Sequence, residues 1–447
     1  MKILHVTLGN PRTHIGGLSR YCIDLREQQI KDGHNVKVLY AGAYTLRKRI
    51  KIRKKSSGYY ALEGALPVPI TYGISCPQRY ICEVDRDVYR KWLIEEKFDI
   101  VHVHSIMGIH KEFFESAEDC NIPMIFTTHD YYPCCFRCNL VDNQGKLCIE
   151  TFQAEKCAKC NANAGLSQKM QILMQSELYQ AIKSNKIVGF IKQQYTKKTS
   201  VIKAQEAVAP EVFSKIEDYE RLHNYYGKIM NKFSVIHCNS IMTNRIYESH
   251  FPALKYQVIP ITHAEIVHRG HSRKSEKKLH ISYLGGMSKH KGYEQIKEVV
   301  TQLSQTTEKW ELSLYGGEFT EQFDDNRVKL CGTFSKDQEE VIWENTDLLL
   351  VPSQWPETFG FAVLEALARE IPVICSDLVG ASYLLETLKD KCVYHADDSK
   401  MLAGRVKNYF DYKYYIDVQS EIKKINISSN MEGHSREILK VYLEAMK

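Results

Sequence analysis

Val351-Pro-Ser-Gln-Trp-Pro-Glu357-Thr-Phe-Gly-Phe-Ala-Val-Leu-Glu365-Ala-Leu-Ala368 reads as a strand end, a loop with two prolines, and a helix opening near Thr358–Gly360. At such a junction the first backbone N–H groups of the helix and its dipole can hold a phosphate. Glu357 stands just ahead of the helix and Glu365 eight residues later, within its first two turns. A carboxylate there can accept hydrogen bonds from the two hydroxyls of a ribose. An amphipathic helix with two solvated glutamates fits the same letters.

Working outward, the junction belongs to a series of short apolar runs alternating with helical patterns: Leu279–Leu284, Glu311–Tyr315, Val328–Cys331, Asp347–Val351 and Pro372–Cys375. An earlier series has the same rhythm. It runs through Lys2–Leu8, a helix opened by Gly16-Gly17, Val36–Tyr40, Asp99–His104 and Pro123–Thr128, and resumes at Phe233–Cys238 and Tyr256–Pro260. Strands alternating with helices predict parallel sheets wound on both faces. A Lys- and Gln-rich helical stretch at about 166–232 interrupts the first series as an insertion, and the polar, basic 267–278 reads as a linker. The expectation is an N-terminal domain over 1–266 and a C-terminal domain over 279–430. A last helix, 431–447, is expected to pack back towards the N-terminal domain.

Composition agrees with two α/β domains: 447 residues, 44% hydrophobic and 26% charged, exceed one ordinary core and leave no room for wholesale disorder. A net charge of +6 permits an acidic partner without demanding one. No apolar run has the length of a membrane span, and Asn10-Pro11 comes too early for a signal-peptide core. The expected location is the cytoplasm.

The glycine turns fall in a fixed order around the opening stretch. Leu284-Gly-Gly286-Met-Ser-Lys-His-Lys291-Gly292, Leu314-Tyr-Gly316-Gly-Glu318 and Cys331-Gly-Thr333-Phe-Ser335 end successive strands, and Pro372–Ser376 with Gly380 follows the glutamates. The N-terminal half carries Gly16-Gly17-Leu-Ser-Arg, Asp99-Ile-Val-His-Val-His104 and Thr127-Thr-His-Asp130. This ordered set, with the Glu-x7-Glu spacing, resembles the retaining glycosyltransferases of the GT-B fold, in particular family four (group 1). It covers most of the chain outside the insertion. The resemblance implies two doubly wound Rossmann-like domains facing across a cleft, with a nucleotide-sugar donor site in the C-terminal half.

It also implies roles. Lys291 would neutralise the diphosphate, Glu365 would hold the ribose, and Glu357 would sit by the transferred sugar. The amides of Thr358, Phe359 and Gly360 would lie beside the phosphate. Gly286, Gly316 and Thr333 belong to the loops that line the donor, the last to the one that cups the base. Gly17 would let the N-terminal loop approach the diphosphate without a side chain, and His129 would lie at the reacting centre. Glu357, His129 and Lys291 are thus the catalytic candidates. The family usually carries arginine where this chain has Gly286; Lys289 or His290 would compensate, or Lys291 and the helix N-terminus would bear more of the diphosphate. Fixed cations and oriented amides stabilise a leaving diphosphate without a divalent ion or other cofactor. The expected attack is front-face, with the leaving phosphate helping to deprotonate the acceptor.

Three further features bear on function. Asp85-Arg-Asp87 spells the acidic pair of metal-dependent sugar transferases, but its charged, helix-like surroundings read as solvated surface. Seven of fourteen cysteines lie between Cys120 and Cys160. Cys157-x2-Cys160 with Cys148 and Cys135 (or else Cys134 or Cys138) could bind one structural zinc ion, the other reading being reduced structural thiols. An all-thiolate set leaves no open position for catalysis. Arg47-Lys-Arg-Ile-Lys-Ile-Arg-Lys-Lys55 holds seven cations, a solvated loop or a docking site on an anionic membrane. It lacks the interleaved aromatics of a nucleic-acid site. The function expected is transfer from a UDP-sugar to a saccharide acceptor, lipid-linked in bacterial surface-polysaccharide assembly, at the inner face of the membrane. A sugar-nucleotide epimerase on the same fold and a non-catalytic binding protein are the alternatives; intact Lys291, Glu357 and Glu365 argue against the latter.

Overall fold

Two mainly parallel sheets are built around short central strands that are buried along their length, such as Ile100–Val103, Met124–Thr127, Val235–Cys238 and Val373–Ser376, as covered parallel strands require. The first holds β1 (Lys2–Thr7), β2 (Asn35–Ala41), β3 (Lys51–Ser56), β4 (Tyr59–Glu63), β5 (Ile100–Val103), β6 (Met124–Thr127), β7 (Val235–Cys238) and β8 (Tyr256–Val258). The second holds β9 (Leu279–Leu284), β10 (Trp310–Tyr315), β11 (Val328–Gly332), β12 (Leu348–Val351), β13 (Val373–Ser376) and β14 (Val393–Tyr394). The computed structural model describes residues 1–14, 16–46, 49–69, 73–182, 215–266, 268–273, 275–427 and 430–447.

Spatial order decides where chemistry can sit. The second sheet runs β11-β10-β9-β12-β13-β14, and the first β3-β4-β2-β1-β5-β6-β7-β8. Both contain the doubly wound Rossmann order, in which the chain reverses its direction of travel beside the first strand. Ligands seat beyond the carboxyl ends of the strands at that switch. The switch lies between β9 and β12 in one sheet and between β1 and β5 in the other. Leu348, Leu349 and Leu350 of β12 are essentially inaccessible. Each contributes about 1.5–3 kcal/mol by burial, which makes the strand a firm base for the loop at its end.

The chain divides into one unit of Met1–His237, Tyr247–Gln257 and Ile438–Lys447 and another of Cys238–Ile246 and Val258–Glu437. The division falls ahead of the stretch read as a linker, and Arg269 and Arg273 of that stretch have their partners in the second unit. Arg269 pairs with Glu340, and Arg273 lies over the rings of Tyr412 and Tyr415. Val267 and Lys274 lie outside the described residues. The loop expected at Arg47–Lys55 is corrected: Lys51–Ser56 is an edge strand antiparallel to β4. Ile50 and Ile52 alternate with cations, and that period of two is a strand's. Arg53 lies 2.6 Å and Lys55 3.4 Å from Glu63. Arg47 and Lys48 lie outside the described residues, as does 183–214 of the insertion. The rest of the insertion includes the helices Gln168–Met174 and Ile216–Met230. Asp85 caps the helix Arg86–Glu96 by accepting from the Asp87 amide at 3.0 Å. No helix among the described residues is long and apolar enough to cross a membrane.

Candidate functional site

In the second unit the loops leaving β9 and β12 converge at the switch. The first ends in Lys291-Gly292. Gly292 has φ +85°, and a Cβ there would lie 1.8 Å from the Pro352 carbonyl oxygen. Only glycine lets the two loops press together so closely. The Gln354 amide donates to the His290 carbonyl at 2.8 Å and locks the approach.

This contact delivers Lys291 to Glu357. Lys291 Nζ lies 2.6 Å from Glu357 Oε1, and Ser353 Oγ donates to Oε2 at 2.5 Å. Burial alone would raise the Glu357 carboxyl. The Lys291 ammonium, helped by the two hydrogen bonds, overrides burial and holds it below the usual carboxylate range. The ammonium also sits 5.5 Å from the centre of the Trp355 ring, whose face His290 meets edge-on. Burial, then the Lys291 charge, lowers His290. The Glu357 backbone is braced on both sides: its amide donates to Leu378 O and its carbonyl accepts from Gly380 N, each at 2.8 Å.

Behind Glu357 the helix Phe361–Ala368 starts at Gly360, a cap without a side chain. Phe359 is buried and meets Phe361 edge-on at 5.6 Å. Glu365 does not join Glu357. It is buried, with Oε1 2.9 Å from Nε2 of His263, a buried residue of the loop after β8. Gly286 and Gly316 meet at the ends of β9 and β10. Gly286 has φ +59°, and a Cβ there would be 2.9 Å from Gly316 O. The missing arginine therefore has a backbone reason: the turn is built for glycine. Gly316 N donates to Gly332 O at 2.9 Å, and Thr333 is exposed just beyond.

In the first unit Gly17 begins the helix Gly17–Lys31, behind Gly16. His129 follows β6, with Nε2 3.3 Å from His104 Nδ1. Asp130 beside it is raised to about 6 by burial. Helix Ala154–Asn161 sets Cys157 and Cys160 three residues apart, so on one face. Cys135, Cys148, Cys157 and Cys160 are electrostatic neighbours, and burial pushes Cys157 up to about 12 with the other three thiols adding to it. Cys138 instead neighbours Asp130 and Cys135. Among the described residues, no two of the fourteen cysteines are joined in a disulfide. Among the described residues, His5, His102 and His104 form the one metal-ligating trio with all ligand atoms within 4.8 Å, so the cysteine sulfurs are more widely spaced.

Sequence reasoning missed Ser353, Trp355, His263 and the histidines of β1 and β5. The last had a visible signal: polar His5, His102 and His104 in otherwise apolar strands.

Comparisons with known proteins bear on the family and the fold. The family described as Glycosyl transferases group 1 matches residues 265–421, and Glycosyltransferase Family 4 matches 15–170. No curated protein sequence matches. Among solved structures, a sucrose-phosphate synthase from Thermosynechococcus elongatus is similar at TM-score 0.58 and 13% identity, over 99% of this chain and 98% of that one. HepE from Anabaena, in complex with UDP, is similar at 0.55 and 14%, over 99% and 100%. An α,α-trehalose-phosphate synthase (UDP-forming) from Burkholderia xenovorans, in complex with glucose-6-phosphate, is similar at 0.57 and 9%, over 99% of each. At these identities the likeness is one of fold.

Proposed function

Because this chain belongs to the group 1 glycosyltransferases of the GT-B fold, we propose that it moves a sugar from UDP to a saccharide hydroxyl with retention of configuration. The Lys291–Glu357 pair at the β9/β12 switch is the observation that carries this reading. The UDP complex of HepE and the UDP-forming synthase support the choice of base.

Lys291 and the N-terminal amides of Phe361–Ala368 take the charge of the leaving diphosphate. Glu357 is kept ionised by Lys291 and so accepts from hydroxyls of the transferred sugar. Glu365 accepts from the ribose, with His263 beside its carboxylate. His129 is the remaining catalytic candidate, at the sugar's reacting centre. The leaving phosphate takes the acceptor's proton as the new bond forms on the same face. No divalent ion is needed for the transfer.

The four-cysteine cluster is proposed to hold one structural zinc ion. Its all-sulfur donor set suits a cation that would draw the sulfurs together. The acceptor is proposed to be lipid-linked, as in surface-polysaccharide assembly. Arg49, Lys51 and Lys54, exposed on or beside the β3 edge, support contact with an anionic surface.

The test is a panel of sugar nucleotides scored by protection against thermal unfolding, which reports any ligand of the native state. A UDP-sugar should raise the midpoint and the other bases should not. Protection by no nucleotide, or by a different base, would remove the reading.

A further inference from the structure

Five histidines of the first unit are joined by one continuous hydrogen-bond chain, and its chemistry has a direction. His5 Nε2 faces the Gln29 side-chain carbonyl at 2.8 Å. A carbonyl only accepts, so His5 carries its hydrogen on Nε2 and a lone pair on Nδ1. His104 Nε2, 2.6 Å from that Nδ1, must donate. His104 Nδ1 is then left to accept from His129 Nε2 at 3.3 Å. On the other side the Gln29 amide donates to the Tyr442 hydroxyl at 3.0 Å, which donates to His102 Nδ1 at 2.7 Å. His102 Nε2 donates to Thr127 Oγ1 at 2.6 Å, and Thr127 to His237 Nδ1 at 2.8 Å.

The register makes this possible. His5 pairs with His102 across β1 and β5, and Thr127 with His237 across β6 and β7. All sit near the carboxyl ends of neighbouring parallel strands. His5, His104 and His129 are uncharged at neutral pH, because burial pushes His5 down to about 4 and His129 to about 3, and His104 far below its usual value.

A metal at His5, His102 and His104 fits less well, although their ligand atoms lie within 4.8 Å. Two nitrogens on one tetrahedral zinc ion stand about 3.3 Å apart. His5 and His104 are at hydrogen-bond separation, 2.6 Å, and both nitrogens of His102 are committed.

We propose that Gln29 sets the tautomer of His129 through this chain: all five histidines carry their hydrogen on Nε2, and His104, His5, Gln29 and Tyr442 are positioning residues for His129. The direction is collective, since turning one member leaves two donors or two acceptors face to face in a buried site. His129 is therefore presented to the reacting centre in a single tautomer. That consequence rests on the proposed function; the tautomers do not.

The test is nitrogen-15 NMR of histidine-labelled full-length protein at neutral pH, with His5→Gln and His5→Leu. Glutamine can accept from His104 and donate to Gln29, whereas leucine can do neither. Wild type should show His5, His102, His104, His129 and His237 as neutral Nε2–H tautomers. His129 should keep that form in His5→Gln and become a tautomer mixture in His5→Leu. In turnover, His5→Leu should lower kcat with donor KM unchanged, and His5→Gln should restore it. Any of the five found as Nδ1–H or imidazolium in wild type would overturn the proposal, even if His5→Leu does not fold. So would an unchanged His129 in His5→Leu, or zinc titrating His5, His102 and His104 together. The stated tautomers in a protein that turns over no UDP-sugar would sink the proposed function and leave the chain standing.

Discussion

Replacing Lys291 by alanine separates catalytic from structural consequences in one experiment. The side chains of Lys291 and Glu357 are 33% and 16% exposed, so the pair is half-buried and solvent screens part of it. A hydrogen bond to a charged group contributes about 1.5–3 kcal/mol. If the ammonium serves the leaving diphosphate, kcat/KM should fall about 10- to 150-fold. The structural effect has a distinctive pH dependence. In wild type the Glu357 carboxyl is held below its unfolded value of about 4.3. Its contribution to stability is present above that value and lost as pH falls through the folded one. Without Lys291, burial prevails and the folded value moves above the unfolded one. The contribution then changes sign: the variant matches wild type best in acid and loses ground as pH rises. Steady-state kinetics and thermal midpoints from pH 4 to 8 measure both effects, and Lys291→Ala with Glu357→Gln should recover the midpoint but not the turnover. A midpoint deficit equal at pH 4 and pH 8, with kcat/KM within twofold of wild type, would refute the reasoning.

Glu365→Gln should weaken UDP binding by about 1.5–3 kcal/mol in calorimetric titration while leaving the fold intact, because the ribose loses an ionised acceptor; unchanged affinity would remove the ribose role. Transfer should persist in EDTA without added magnesium or manganese, and an absolute requirement for either ion would mean a differently built phosphate site. Metal analysis of protein purified under reducing, zinc-replete conditions should find about one zinc per chain; none would leave Cys135, Cys148, Cys157 and Cys160 as structural thiols. Co-sedimentation with vesicles should rise with anionic lipid and fall with salt screened over about 8 Å. Replacing Arg47, Lys48, Arg49, Lys51, Arg53, Lys54 and Lys55 by glutamine should abolish it while sparing UDP binding.

The doubly wound fold was legible because its strands are short, mainly apolar runs, closed by a glycine turn at Leu279–Leu284 and uninterrupted at Leu348–Val351. Where charge dominates composition, it masks the period of a strand. β3 was hidden by its cations although Ile50 and Ile52 kept the alternation of a strand. Arg269 and Arg273 looked like linker because their partners, Glu340 and the rings of Tyr412 and Tyr415, stand far away in sequence. At the site, motif spacing singled out Lys291 and Glu357, and the structure places them 2.6 Å apart. Spacing could not find the His263 contact with Glu365 or the link from Gln29 to Tyr442, 413 residues away. Such pairings depend on tertiary register, which a single sequence does not spell.

The anomeric configuration of the new glycosidic bond tests the central claim most directly. With the UDP-α-sugar that gives the strongest thermal protection and its acceptor, NMR of the first product should show an α-linkage. Attack on the face the diphosphate leaves, assisted by its own phosphate oxygen, retains configuration. A β-linked product would require attack from the opposite face with a separate general base, and would contradict the account built on Lys291, Glu357 and the departing diphosphate.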